Sequence, residues 1–119
     1  MTRQDPRPPQ VRTMTIHRKY LDLIAAGAKT VEVRVAYPSN RTLIAGQALR
    51  LVSGDASCLT TITTIRQYDS FESMLDHEDA QAISGEPGTR EALLAACRAI
   101  YPPEKERLGV LALHINVPD

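Results

Sequence analysis

The chain has 119 residues, 43% hydrophobic and 24% charged, with 14 Lys and Arg balanced against 14 Asp and Glu. That length gives room for one core, and a formal charge of zero excludes tight nonspecific binding to long duplex DNA. No apolar run approaches the roughly 20 residues that a membrane-spanning helix needs, and with no Trp and a single Phe the core is expected to be aliphatic.

Residues 1–12 carry Pro6, Pro8 and Pro9 and no apolar segment. They read as a flexible leader rather than a secretory signal, ahead of one domain over 13–119. A strand is predicted over 13–17 and a helix over 18–26, where Tyr20, Leu21, Leu23 and Ile24 recur at helical spacing and Gly27 supplies the stop. Val31, Val33 and Val35 then alternate with Thr30, Glu32 and Arg34, the period of a half-buried strand. If the valines point inward, Glu32 and Arg34 share the other face, and Lys29 at the helix exit leans over the same surface. After a loop at 37–41, residues 48–53 and 58–66 read as a hairpin around Gly54, Asp55 and Ala56. Ile62 and Ile65 fall on opposite faces under strict alternation, so a β-bulge is expected between them. Helices follow, one after Asp69 or Ser70 and one from Thr89 to the pair Pro102 and Pro103, and the strand 108–117 closes the chain. Too few strands alternate with helices for a doubly wound sheet. The pattern fits an α+β fold, a small mixed β-barrel with helices outside.

Cys58 and Cys97 read as buried small hydrophobes of a reducing compartment, and the protein is expected to be cytoplasmic. Two cysteines and three scattered histidines offer no metal-ligand spacing, so neither metal nor cofactor is expected. The zero net charge hides an asymmetry: residues 1–66 hold ten Lys/Arg against four acids, and residues 67–119 reverse those numbers. Two readings stand. The basic half attracts a polyanion, or the two halves pack together and neutralise each other.

The stretch Gly27-Ala28-Lys29-Thr30-Val31-Glu32-Val33-Arg34, with His17 to Ile24 before it, resembles the signature of the ASCH family, the activating signal cointegrator homology domains. The likeness continues through Gly46 and Gln47, where the family usually has Gly-Asp, then through Tyr68 to Leu75, Ile100-Tyr101-Pro102 and the strand 109–115. It covers roughly residues 13 to 117, in four blocks that keep their order.

The resemblance implies a PUA-like barrel with a cleft between barrel and first helix, lined by Lys29, Glu32 and Arg34. It implies a binding partner that is single-stranded RNA, a nucleotide or a modified nucleoside. In that reading Lys29 and Arg34 hold a phosphate, Glu32 accepts from a ribose hydroxyl or an exocyclic amine, and Arg18 and Lys19 add to the nucleic-acid-binding set. The bland alternative is that Glu32 and Arg34 only pair with each other on the surface. Some members resemble amidohydrolases of N4-acetylcytidine that use a Lys, a Thr nucleophile and a Glu. Here that pattern falls on Lys29, Glu32 in the Thr place and Glu86, with Thr30 as the neighbouring hydroxyl. A carboxylate does not replace a hydroxyl nucleophile simply, because a mixed anhydride is labile and its charge repels an oxyanion. Other members look like metal-independent ribonucleases, for which Glu32, Lys29 and Arg34 would serve as base, acid and phosphorane cation, with His17 nearby. Binding is thus the first reading and metal-independent hydrolysis the alternative.

Overall fold

The computed structural model describes residues 10–118, so residues 1–9 of the expected leader lie outside the described residues. β1 (Arg12–Thr15), α1 (Arg18–Ala25) and β2 (Val31–Val35) follow the predicted order. β1 stops earlier than expected because His17 is needed as the helix cap: its backbone is extended and its Nδ1 accepts from the Lys19 N–H at 3.3 Å. A 3-10 turn (Asn40–Thr42) leads to β3 (Ala48–Ser53) and β4 (Ala56–Tyr68), which join through a two-residue turn at Gly54 and Asp55, with Gly54 at φ 58°. α2 (Phe71–His77), α3 (Ala80–Ser84), α4 (Arg90–Ile100) and α5 (Pro103–Glu106) precede the closing strand β5 (Val110–Asn116).

α3 and α5 were not predicted. Each is too short to show a helical period. α3 is held by its ends: the Asp79 side chain accepts from the Gln81 N–H at 3.1 Å, and Gly85 closes it at φ 79°. The proline pair read as a helix stop also opens the next helix, because Pro103 stands in its first turn, where no backbone donor is required. Gln47 replaces the usual acid without loss of the turn contact. Its Oε1 accepts from the Ile44 N–H at 3.1 Å and its Nε2 donates to the Gln10 carbonyl at 2.8 Å.

The five strands form one sheet in the order β1-β3-β4-β5-β2, with β1 parallel to β3 and every other pair antiparallel. The sheet curls into a half-barrel. Its two edge strands approach each other, and Arg34 Nη2 on β2 donates to the Thr15 carbonyl at the end of β1 at 2.9 Å. Inside the curl Ile24, Leu49, Leu51, Ile62 and Leu113 form one core. Between the other face and the helices, Val31, Val35, Phe71, Met74, Ile83 and Val110 form a second. β5 contributes to both, which is why its sequence is nearly continuous in apolar residues. The second core is not purely aliphatic: Phe71 is fully buried and stacks on Tyr101 at 6.1 Å.

The predicted bulge lies where the alternation required it. The β4–β5 register slips between Ile62 and Thr64, so Ile62 and Ile65 both reach the inner core. Among the described residues no helix is long and apolar enough to cross a membrane.

Candidate functional site

β2 is an edge strand, and a cleft of about 510 Å³ runs alongside it. The end of β1 and the start of α1 form one wall through Ile16, His17 and Tyr20; α3, α4 and their connection form the other through Ile83, Leu93, Cys97 and Tyr101. The floor holds charge. Lys29 is buried, and its ammonium donates to the Val31 carbonyl at 2.7 Å and the Ile83 carbonyl at 2.5 Å. It also lies 3.4 Å from Glu32 Oε1. The other Glu32 oxygen accepts from Arg34 Nε at 2.7 Å. Side-chain exposure is 5% for Lys29, 8% for Glu32 and 18% for Arg34, so Arg34 is the cation of the three with a way out to a ligand.

The electrostatics follow from that burial. Desolvation pushes the Lys29 ammonium below its ordinary value, and the neighbouring Glu32 carboxylate opposes the shift. All three Lys29 protons have protein partners, so this residue locks α3 to β2 in addition to charging the floor. Tyr20 covers it, with Nζ 5.6 Å from the ring centroid. Breaking a buried pair of this kind by removing one partner costs about 3–5 kcal/mol. Cys97 faces the same cleft, and burial raises its thiol to about 11, which keeps it protonated at neutral pH. Burial likewise raises the Tyr101 phenol.

Of the residues picked from the sequence, Lys19, Lys29, Glu32, Arg34 and Glu86 come to this cleft, and His17 joins them. Lys19 and Glu86 stand at its mouth as an exposed ion pair with Nζ and Oε1 2.8 Å apart. Arg18 does not line it; its Nε binds Asp22 Oδ1 at 3.0 Å on the exposed side of α1. Thr30 opens onto a separate cavity of about 340 Å³ between the end of α1 and the end of β5. The hydroxyls in the main cleft belong to Thr15, Ser84, Thr89 and the tyrosines. Thr89 Oγ1 is engaged as the cap of α4, accepting from the Ala92 N–H at 3.1 Å. Among the described residues the two halves meet through Lys19–Glu86 and the longer Arg66–Glu78 approach at 3.9 Å. Among the described residues no three His, Cys, Asp or Glu side chains cluster as metal ligands.

The wall formed by α3 and α4 was not picked out from the sequence. Its apolar stripe, Leu93, Cys97, Ile100 and Tyr101, has the period of an ordinary core helix, and only the tertiary packing shows that part of it faces a cleft.

A family model described as the ASCH domain matches residues 14–119. The chain belongs to the ASCH domain family. Among solved structures, the hypothetical protein PH0355 is 26% identical with a TM-score of 0.84, covering 92% of this chain and 100% of its own. Protein PF0455 from Pyrococcus furiosus is also 26% identical, with a TM-score of 0.74 and coverage of 92% and 99%. An ASCH domain from Lactobacillus crispatus JV V101 shares the fold at 17% identity and a TM-score of 0.67, covering 92% of this chain and 80% of its own. None of the curated proteins matches the chain. In this ASCH domain the Gly-x-Lys-x-x-Glu-x-Arg residues therefore act as a connected group: Lys29 ties α3 to β2, Glu32 joins the two cations, and Arg34 bridges β2 to β1.

Proposed function

We propose that this ASCH domain binds one nucleoside unit of single-stranded RNA, or a free nucleotide or modified nucleoside, in the cleft beside β2. The observation that carries the reading is the cleft itself. Largely apolar walls enclose a volume of about 510 Å³ over a floor of three connected charges. A flat base suits such walls, because stacking and apolar contact tolerate any ring while a few fixed polar groups orient it. Arg34 supplies donors toward phosphate or a base carbonyl, Glu32 accepts from an amine or a ribose hydroxyl, and Lys19 and His17 at the mouth meet the backbone of a longer strand. The domain is expected to be a weak, salt-sensitive binder, since the contacts to phosphate displace counterions. Titration of labelled protein with a short single-stranded RNA tests this. Amide shifts should concentrate at 15–34 and 80–101, and shifts confined to other surfaces would overturn the reading.

A second reading, metal-independent hydrolysis of RNA or of an N4-acylated cytidine, draws on one observation: Lys29 is a buried amine whose proton is held less tightly than usual, beside Glu32, in a cleft with Glu86 at its mouth. Mass spectrometry of acylated nucleosides and short RNAs after incubation with the protein separates the two. Product that disappears in Lys29→Ala while the fold persists would favour hydrolysis; no product at high protein concentration would leave binding.

A further inference from the structure

The pairing of β2 has a phase. Ile115 N–H donates to the Thr30 carbonyl at 3.0 Å and Ala36 N–H to the Gly109 carbonyl at 2.8 Å, so the even-numbered residues between them turn their main-chain groups toward β5. Val31, Val33 and Val35 therefore turn theirs outward, along the free edge. The Val31 carbonyl is taken by Lys29 Nζ, and the Val35 carbonyl by the Tyr37 N–H and Asn40 Nδ2, each at 2.9 Å. Val33 is different: neither its N–H nor its C=O has a partner among the described residues, and of the three valines it alone lines the cleft. Its side chain packs toward the helix-side core, so its free polar groups belong to the strand edge itself.

With the carbonyls on both sides taken, the single free C=O at Val33 leaves an edge too short to pair with a peptide strand, which needs about three residues or more. It suits a single flat group presenting one acceptor beside one donor. Glu32, next along the strand, adds a fixed acceptor on the same floor. We propose that Val33 N–H and C=O read the amidine edge of a cytosine or adenine base, with Glu32 accepting the second proton of its exocyclic amine. This rests on the nucleoside-binding reading above and narrows it to bases that carry the amine. Uracil and hypoxanthine would place a carbonyl oxygen where the amine is wanted, against the Glu32 carboxylate, and should be rejected.

The test uses the ¹⁵N-labelled full chain with two isosteric pairs, cytidine against uridine and adenosine against inosine. The amine-bearing member of each pair should bind about tenfold tighter, with a downfield shift and slowed exchange of the Val33 amide. Val33→Pro removes that N–H without breaking the β2–β5 ladder, because an outward-facing donor on an edge strand takes no part in it, and Val33→Ala controls for the lost side chain. Val33→Pro should abolish the preference, whereas Val33→Ala should keep it. If the proline variant does not fold, the Val33 amide of the natural chain decides. Equal affinity within the pairs, or a silent Val33 amide while those of Lys29, Glu32 and Arg34 move, would overturn this inference and leave the cleft as a nucleoside site. No response anywhere in the cleft would overturn both.

Discussion

Replacing Gly85 by Ala perturbs the contact on which the site wall depends. Gly85 ends α3 at φ 79°, with its N–H donating to the Gln81 carbonyl at 2.7 Å. A Cβ there would sit 2.9 Å from Lys29 Cβ and 3.1 Å from Leu23 Cβ and Cδ1. Lys29 cannot yield cheaply, because its ammonium is fixed by the Val31 and Ile83 carbonyls at the other end of the same side chain. The left-handed backbone costs an alanine about 1–2 kcal/mol, and forcing an extra methyl into a packed contact costs about 1–3 kcal/mol more. Gly27 is the internal control: φ is 80°, but nothing lies within 4 Å of its missing Cβ. Gly27→Ala should therefore lose only the backbone part. Urea unfolding of both variants measures the difference, which should be about 1–3 kcal/mol in favour of Gly27→Ala, or roughly 4–12 °C in melting temperature. The Lys29 and Ile83 amides should move in Gly85→Ala and stay in Gly27→Ala. Equal destabilisation by the two substitutions would refute the argument that α3 is packed onto Lys29.

Lys29→Met should destabilise by about 3 kcal/mol, because two carbonyls and Glu32 lose their donor. The Lys29 pKa is lowered from 10.5 in the folded state, so between the folded value and 10.5 the unfolded chain holds a proton that the folded one does not. In that window the stability of the natural chain relative to Lys29→Met should rise with pH, as denaturation of both at a series of alkaline pH values will show. Glu106 accepts from the buried Phe71 N–H at 2.9 Å and from Arg98, so Glu106→Ala should cost about 2 kcal/mol in urea unfolding. Desolvation pushes the Glu106 carboxyl up, but the bonds from Arg98 and Phe71 outweigh it and hold it below 4.5. Its contribution should be full above 4.5 and fade as pH falls through the folded value, which the difference from Glu106→Gln on acid titration measures. Lys19→Ala should weaken binding of a short single-stranded RNA and reduce the slope of log affinity against log salt by about 0.7, while Arg18→Ala, outside the cleft, should change neither.

The sequence by itself determined the longer local elements, though not the short helices α3 and α5, and the family signature. The valine alternation sets β2, Gly54 and Asp55 set the hairpin, and the clash of Ile62 and Ile65 with strict alternation places the bulge, because each of these depends on neighbours in the chain. It also brought Lys29, Glu32 and Arg34 onto one surface, since two residues along a strand and one helix exit fix that geometry locally. What the group became was decided by tertiary structure. β2 is an edge strand only because β5, from the far end of the chain, pairs on one side of it and no strand among the described residues pairs on the other. Lys29 is buried because α3, too short to be seen by periodicity, brings the Ile83 carbonyl to its ammonium across 54 positions of sequence. Arg18 and Lys19 are adjacent and chemically alike, yet Lys19 stands at the cleft and Arg18 does not, because neighbouring residues on a helix point about 100° apart. The free groups of Val33 belong to the same class, since main-chain donors and acceptors are identical in every residue and only the pairing of strands leaves one of them exposed.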